Sequence, residues 1–312
     1  MSTQEPVTGQ VVIRDQPVVD FSHLTEPAQL AAVARIDGVA IVIVPEALAG
    51  AYLAIPASNV AATMYVPGAV NVRVHTGSLV VSGDGIGGAD DVLVVVGMLI
   101  ITSQVTGPVP QRIHVIGSVL APRGSEQALG RALAGGTGNV SYYQYSEGQD
   151  IKLLSGQVKL SAAMLANTAG QPGDLLIVAG QVAITGEVAA VGYRHVIFAG
   201  QVAAPAASRD VIEPSAEIQG QIGWYAGSDA RVFHDDLSLG PDFFRLANQP
   251  VSLVVFGDLS VEAGVSDTAL LEKIAGLVVF GDVTAPPGLI AALQVLGAEV
   301  FGDIRAGDGQ GS

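Results

Sequence analysis

Three aspartates return behind nearly the same apolar lead-in: Leu253-Val-Val-Phe-Gly-Asp258, Leu277-Val-Val-Phe-Gly-Asp282 and Ala298-Glu-Val-Phe-Gly-Asp303. The glycines Gly257, Gly281 and Gly302 recur at nearly equal steps. On stacked parallel strands such carboxylates stand about 4.8 Å apart. That spacing suits a paired-carboxylate hydrolase site or a bridging cation; the plain alternative is turn caps that accept backbone amides. His234-Asp235-Asp236 offers metal ligands or an acid/base pair, with a solvated loop as its alternative. The other histidines, His23, His75, His114 and His195, lie far off in sequence and could join it only by stacking. Gly135-Gly-Thr-Gly lacks the lysine-serine/threonine of a phosphate loop and reads as a plain loop. Gly83-Asp-Gly-Ile-Gly-Gly-Ala-Asp-Asp lacks the alternating acids and closing glutamate of a calcium loop. There is no cysteine, hence no thiol chemistry and no disulfide, and no serine sits in a nucleophile elbow. No catalytic residue, cofactor or metal is assigned.

The same phrases are more informative as architecture. Leu253, Val255, Leu259 and Val261 share one parity, with Gly257 between them, and this is repeated in the next copies. Strand side chains alternate faces, so this parity is a buried face. The other parity is apolar before the glycine (Val254, Phe256) and polar after it (Asp258, Ser260). The glycine therefore marks a bend, a bulge or a close backbone approach. In register, Phe256, Phe280 and Phe301 form an aromatic ladder, a packing device that becomes an interaction strip wherever it is left uncovered. Between the phrases, Leu270, Leu271 and Ile274 suit a short helix capped by Ser266, and Pro286 and Pro287 suit a helix entry. The unit is strand, turn, short helix, strand. Its successive strands are parallel and joined by right-handed crossovers.

Weaker copies run upstream around Gly77, Gly97, Gly117, Gly156, Gly180, Gly200 and Gly220, mostly at one constant spacing. A fixed period in this range is the signature of stacked repeats. In period and in strand-plus-helix alternation the chain resembles leucine-rich-repeat proteins, with glycine-aspartate where their asparagine turn stands. Its glycine-hydrophobic strands also resemble those of bactofilin-like β-solenoid polymers. The resemblance implies a repeat β-solenoid: mainly parallel β, with short helices in the C-terminal repeats.

Residues 1–24 read as an N-terminal arm, 25–306 as a single elongated repeat domain with a sub-boundary near 225–250, and 307–312 as a flexible tail. Thr25 is expected to cap a short helix with Pro27 in its first turn. Residues 39–44, 51–55 and 61–66 read as strands. Two stretches interrupt the rhythm. One, 125–145, carries a helix and Tyr142, Tyr143 and Tyr145; the other, 224–248, carries Trp224, the only tryptophan. Insertions in a repeat stack gather on one face, and that face often binds.

With a net charge of −15 and only 14 lysines and arginines, the chain has no basic footprint for nucleic acid or for an anionic membrane surface. The apolar segment 38–57 holds Pro45, Glu46 and Pro56 and reads as two buried strands, not a membrane span. No signal peptide is visible, so a cytoplasmic location is expected. The last phrase reaches almost to the final residue, and a repeat stack without a cap offers its edge to another subunit. The expected function is a non-enzymatic structural protein that self-assembles head to tail into filaments, rings or a larger particle. Its contact residues are Phe256, Phe280, Phe301, Asp258, Asp282, Asp303 and Ile304, together with Trp224 and the three tyrosines. The alternatives are an adaptor that binds protein along its repeat face and a β-solenoid protein that binds or cleaves polysaccharide.

Overall fold

The computed structural model describes residues 11–68, 70–133 and 138–307. Residues 1–10 of the expected arm, Gly135-Gly-Thr137 of the expected loop and 308–312 of the tail lie outside that range. The chain divides into two compact units, Met1–Glu147 and Gly148–Ser312. Each is built mainly of parallel sheet, and no described helix is long and apolar enough to cross a membrane.

The first unit holds two sheets. One contains β1 (Val11–Asp20), β2 (Val33–Pro45) and β3 (Ala57–Val66) in sequence order. The other contains β4 (Asn71–Val81), β5 (Asp91–Ile101), β6 (Arg112–Pro122) and β7 (Asn139–Tyr143). Ile41, Ile43 and Met64 of the first sheet pack on Val92 and Val94 of the second. Both faces of β5 are therefore covered, which is why it reads as an unbroken run of Val, Leu and Ile. Gly77, Gly97 and Gly117 are paired in register, all with positive φ. In the first sheet the corresponding left-handed positions are Asp15, Gly38 and Asn59 (φ 52, 65 and 53). Asp and Asn tolerate this region better than other side chains. Two of the three rungs preceding Gly77 thus take the left-handed conformation without a glycine.

Three expectations are corrected here. The segment read as an arm contains β1, which pairs in parallel with β2. Residues 51–55 are not a strand. A 3₁₀ turn, Glu46–Leu48, leads into a helical turn, Ala49–Tyr52, and Leu48 and Tyr52 are buried one turn apart on a common face. The helix Pro27–Leu30 is capped by Glu26 rather than Thr25, with the Gln29 side chain accepting the amides of both Thr25 and Glu26.

The second unit opens with β8 (Ile151–Ser161), β9 (Leu175–Thr185), β10 (His195–Pro205) and β11 (Ala216–Tyr225), paired in that order. The chain then returns and climbs again. Each Phe-Gly-Asp phrase forms a corner between two short strands that belong to different sheets. The first of these sheets runs β12 (Arg231–Phe233), β14 (Val251–Val255), β16 (Ile274–Val279), β18 (Glu299–Val300). The second runs β13 (Leu237–Leu239), β15 (Leu259–Val261), β17 (Val283–Ala285), β19 (Ile304–Ala306). Leu253, Val255, Leu259 and Val261 bury one face together with Leu270, Leu289 and Leu293 of the connecting segments. Val254, Phe256, Val278 and Phe280 bury the other face against Ala183, Ala203 and Tyr225 of the first sheet. As expected, the Ser266 hydroxyl accepts the Ala269 amide at the start of the helix Asp267–Lys273 (3.1 Å).

The two stretches read as insertions are rungs. Residues 224–248 contain β12, a Phe-His-Asp-Asp corner and β13, in register with β14 and β15. Residues 125–145 contain the helix Glu126–Ala132 and β7. The units also repeat each other: 97–125 is echoed by 180–208, with Gly97/Gly180, Thr102/Thr185, Val105/Val188, Pro122/Pro205 and Ser125/Ser208 matched. The fully buried Ser125 and Ser208 hydroxyls accept the Val105 and Val188 amides (3.1 and 2.8 Å). The buried Tyr143 and Tyr225 donate to the Ile101 and Ile184 carbonyls, both at 2.7 Å. Ser208→Ala leaves the Val188 amide unpaired, so it is expected to cost about 1–3 kcal/mol in chemical denaturation.

Asp174, 4% exposed, ties the β8–β9 connection to β8. It accepts the Gln171 amide (3.0 Å) and the Asn167 side chain (3.3 Å) and lies 3.4 Å from the Lys152 ammonium. These hydrogen bonds, led by the Gln171 amide, hold its pKa below the ordinary 3.8. A depressed carboxyl contributes stability above its unfolded pKa and loses it as pH falls through the folded value. Asp174→Asn is therefore expected to flatten the acid limb of stability, which begins as pH falls toward the ordinary carboxylate range. A limb as steep as in the wild type would remove Asp174 from that role.

Candidate functional site

Four ladders run along the second unit and come to its two ends. The first is aromatic. Phe256–Phe280 and Phe280–Phe301 stack with centroids 4.9 Å apart, at 6° and 4°. His234 extends the ladder downward, 5.1 Å from Phe256 at 3°. The rings follow strand spacing, because in-register parallel strands repeat at about 4.8 Å.

The second ladder is a staircase of aspartates. The Asp236 carboxylate accepts the Asp258 amide (2.9 Å), Asp258 accepts that of Asp282 (2.8 Å), and Asp282 accepts that of Asp303 (2.9 Å). This is the turn-cap reading of the aspartates. The glycine before each of the upper three is required by close approach: a Cβ at Gly281 or Gly302 would collide with the aspartate and the glycine carbonyl of the rung below. The top is held by Arg305, which reaches Asp303 (2.7 Å) and Asp282 (3.2 Å).

The third and fourth ladders lie side by side on β8–β11. Gly156, Gly180, Gly200 and Gly220 are in register, followed by Gln157, Gln181, Gln201 and Gln221. His234 Nδ1 sits 3.2 Å from the Gln181 side-chain oxygen, joining the glutamines to the aromatic ladder.

At the first-rung end, β8, β12 and β13 each pair on one side only among the described residues. Ser155, Gly156, Gln157 and Lys159 are exposed there. Lys159, Arg231, Val232 and His234 surround a shallow pocket floored by Ala183 and Ala230. Lys159 and Arg231 have no ion-pair partner among the described residues. At the last-rung end, β11, β18 and β19 likewise pair on one side only among the described residues. Glu299 accepts the Trp224 amide (2.7 Å) there, and Arg209 lies 4.9 Å over the Trp224 ring.

The residues singled out from sequence therefore separate. Phe256, Phe280, Trp224 and Tyr143 are interior, at 4%, 6%, 8% and 1% exposure. Burial pushes the Tyr143 phenol pKa far up, and that of Tyr142, half-buried against the first unit's core, rises for the same reason. Tyr145 lines a cleft with Asp84, Gln104 and Glu147. Ile304 is half-buried against the core. Phe301 (37% exposed), Asp303 and the edge of β19 reach the surface. Asp91, from the glycine-rich 83–91 loop, is engaged by the Asn71 amide nitrogen and the Gly88 amide, both at 2.9 Å.

His234 and Asp236 as ladder members, and Lys159, Arg231 and Glu299 as end charges, were missed in the sequence. A signal for the first two exists: Phe233-His-Asp-Asp-Leu stands one repeat before Val255-Phe-Gly-Asp-Leu, with histidine replacing phenylalanine and aspartate replacing glycine. Comparison with protein-family models, curated proteins and solved structures finds no match.

Proposed function

We propose that this chain is a non-enzymatic structural protein, with a solenoid-like stack that self-assembles head to tail through its end rungs into filaments or a larger particle. The observation that supports this is the open, exposed strand edge at both ends of the second unit, where Phe301 and Asp303 repeat the groups of the rungs below. An edge strand is a template for further pairing, and a surface that fits the opposite end of an identical copy makes heterologous contacts that propagate. Interior rungs bury Phe256 and Phe280 almost completely; the end rung leaves its phenylalanine uncovered.

The test is negative-stain electron microscopy and light scattering of the purified chain at rising concentration, beside a chain ending at Gln294. Fibres or rings from the full chain, absent from a truncated chain that keeps its β-sheet circular dichroism, support the reading. Small monodisperse particles from the full chain at every concentration overturn it.

A further inference from the structure

Resting on that head-to-tail reading, we infer a specific contact: Glu299, Phe301 and Asp303 of one copy receive Lys159, His234 and Asp236 of the next as one further rung in register. The argument comes from two columns that face each other where the sheets of the second unit pack. On β8–β11 the column is Lys159–Ala183–Ala203–Gly223. On the opposing sheet it is Val232–Val254–Val278–Glu299. Both are otherwise small or apolar, and each carries one charge. The lysine heads the first column and the glutamate closes the second, at opposite ends of the unit. Within one copy they are separated by the height of the stack. In a copy added in register, Lys159 stands one strand spacing beyond Gly223, about 4.8 Å. A Cβ on Gly223 would already lie 3.4 Å from the Glu299 carboxylate. The added lysine thus arrives beside Glu299, whose Oε2 accepts the Trp224 amide.

The other ladders agree on the same register. Phe301 meets the next copy's His234, the pairing that His234 and Phe256 already make within the chain. Asp303 meets the next Asp236 amide, continuing the staircase. Gly156 is the glycine of its ladder with nothing near its missing Cβ, whereas Gly180, Gly200 and Gly220 each abut the carbonyl of the glycine below. A preceding copy's Gly220 carbonyl fills that space. Charge selects the direction: first-rung ends facing each other place Lys159 and Arg231 against their own copies, which is repulsive.

The test uses the full chain in sedimentation velocity at low and moderate salt. Lys159→Glu and Glu299→Lys are each expected to weaken self-association at least tenfold. The double variant in one chain restores opposite charges at every contact and is expected to return to within about threefold of wild type. Because Glu299→Lys also removes the Trp224 acceptor, Glu299→Gln is included; it keeps that hydrogen bond and is expected to weaken association with an unchanged melting temperature. Assembly that is insensitive to all of these variants overturns this contact and leaves head-to-tail assembly standing. A wild type that stays monomeric overturns both. A double variant no better than the worse single, with circular dichroism and melting intact, overturns the pairing of Lys159 with Glu299.

Discussion

Gly200→Ala is expected to destabilise the second unit by about 3 kcal/mol or more, whereas Gly156→Ala costs only about 1–2 kcal/mol. Both glycines have positive φ, 135° and 90°, so both substitutions carry the left-handed penalty of an L residue. The difference is the neighbour. A methyl group on Gly200 would be driven into the Gly180 carbonyl, whose position is fixed by the pairing of β9 with β10. A methyl on Gly156 meets open space. Relief of the Gly200 clash requires β10 to move away from β9, and Val202, buried on β10, moves with it. Urea denaturation of the two variants side by side checks this. Equal losses would mean that backbone strain alone sets the cost and that the carbonyl contact is irrelevant.

The second large effect is expected at Phe280. Its ring is 6% exposed, stacked between Phe256 and Phe301 and packed in the cluster that joins the two sheets. Phe280→Ala removes the buried ring and leaves a cavity, at about 3–5 kcal/mol. It also loses two stacking contacts, each about 0.5–1.5 kcal/mol beyond area burial. Phe280→Leu refills most of the volume without the stack, so its own loss relative to wild type reports the ladder's share and its difference from Phe280→Ala reports the cavity. Phe301→Ala, with one stacked neighbour and a half-open environment, is expected to cost about 1 kcal/mol. A Phe301 loss as large as that of Phe280 would mean that the end ring is as integral to the fold as the interior one.

Much of this arrangement was legible in the chain, for physical reasons. The Phe-Gly-Asp phrases are explicit because three constraints coincide there: a ring that must stack, a corner without room for a Cβ, and a carboxylate that must reach the next amide. The glycine ladder was legible for the same reason, since only glycine fits beneath a carbonyl in register. The rungs that went unread satisfy the constraint by other means. Asp15 and Asn59 occupy the left-handed position themselves, and His234 replaces a phenylalanine while keeping a flat ring. The segment 51–55 was misread because alanine and leucine in a short apolar run suit a strand or a helix equally, and Leu48 and Tyr52 decide it only through burial on a common face. The end charges were illegible in principle. Lys159 and Glu299 lie in distant parts of the chain, and only the register of two sheets shows that they close opposite ends of adjoining columns.

The aspartate staircase runs one way: each carboxylate serves the amide of the rung that follows it in the chain, never the one before. During synthesis, then, every new corner emerges onto an acceptor, a ring and a strand edge that are already in place. The loop that must close at each step is about one repeat long, so its entropic cost stays nearly constant as the stack grows. Interrupting translation after any corner leaves a shorter stack whose caps are all satisfied, while removing an early rung strips the acceptor from the one above it.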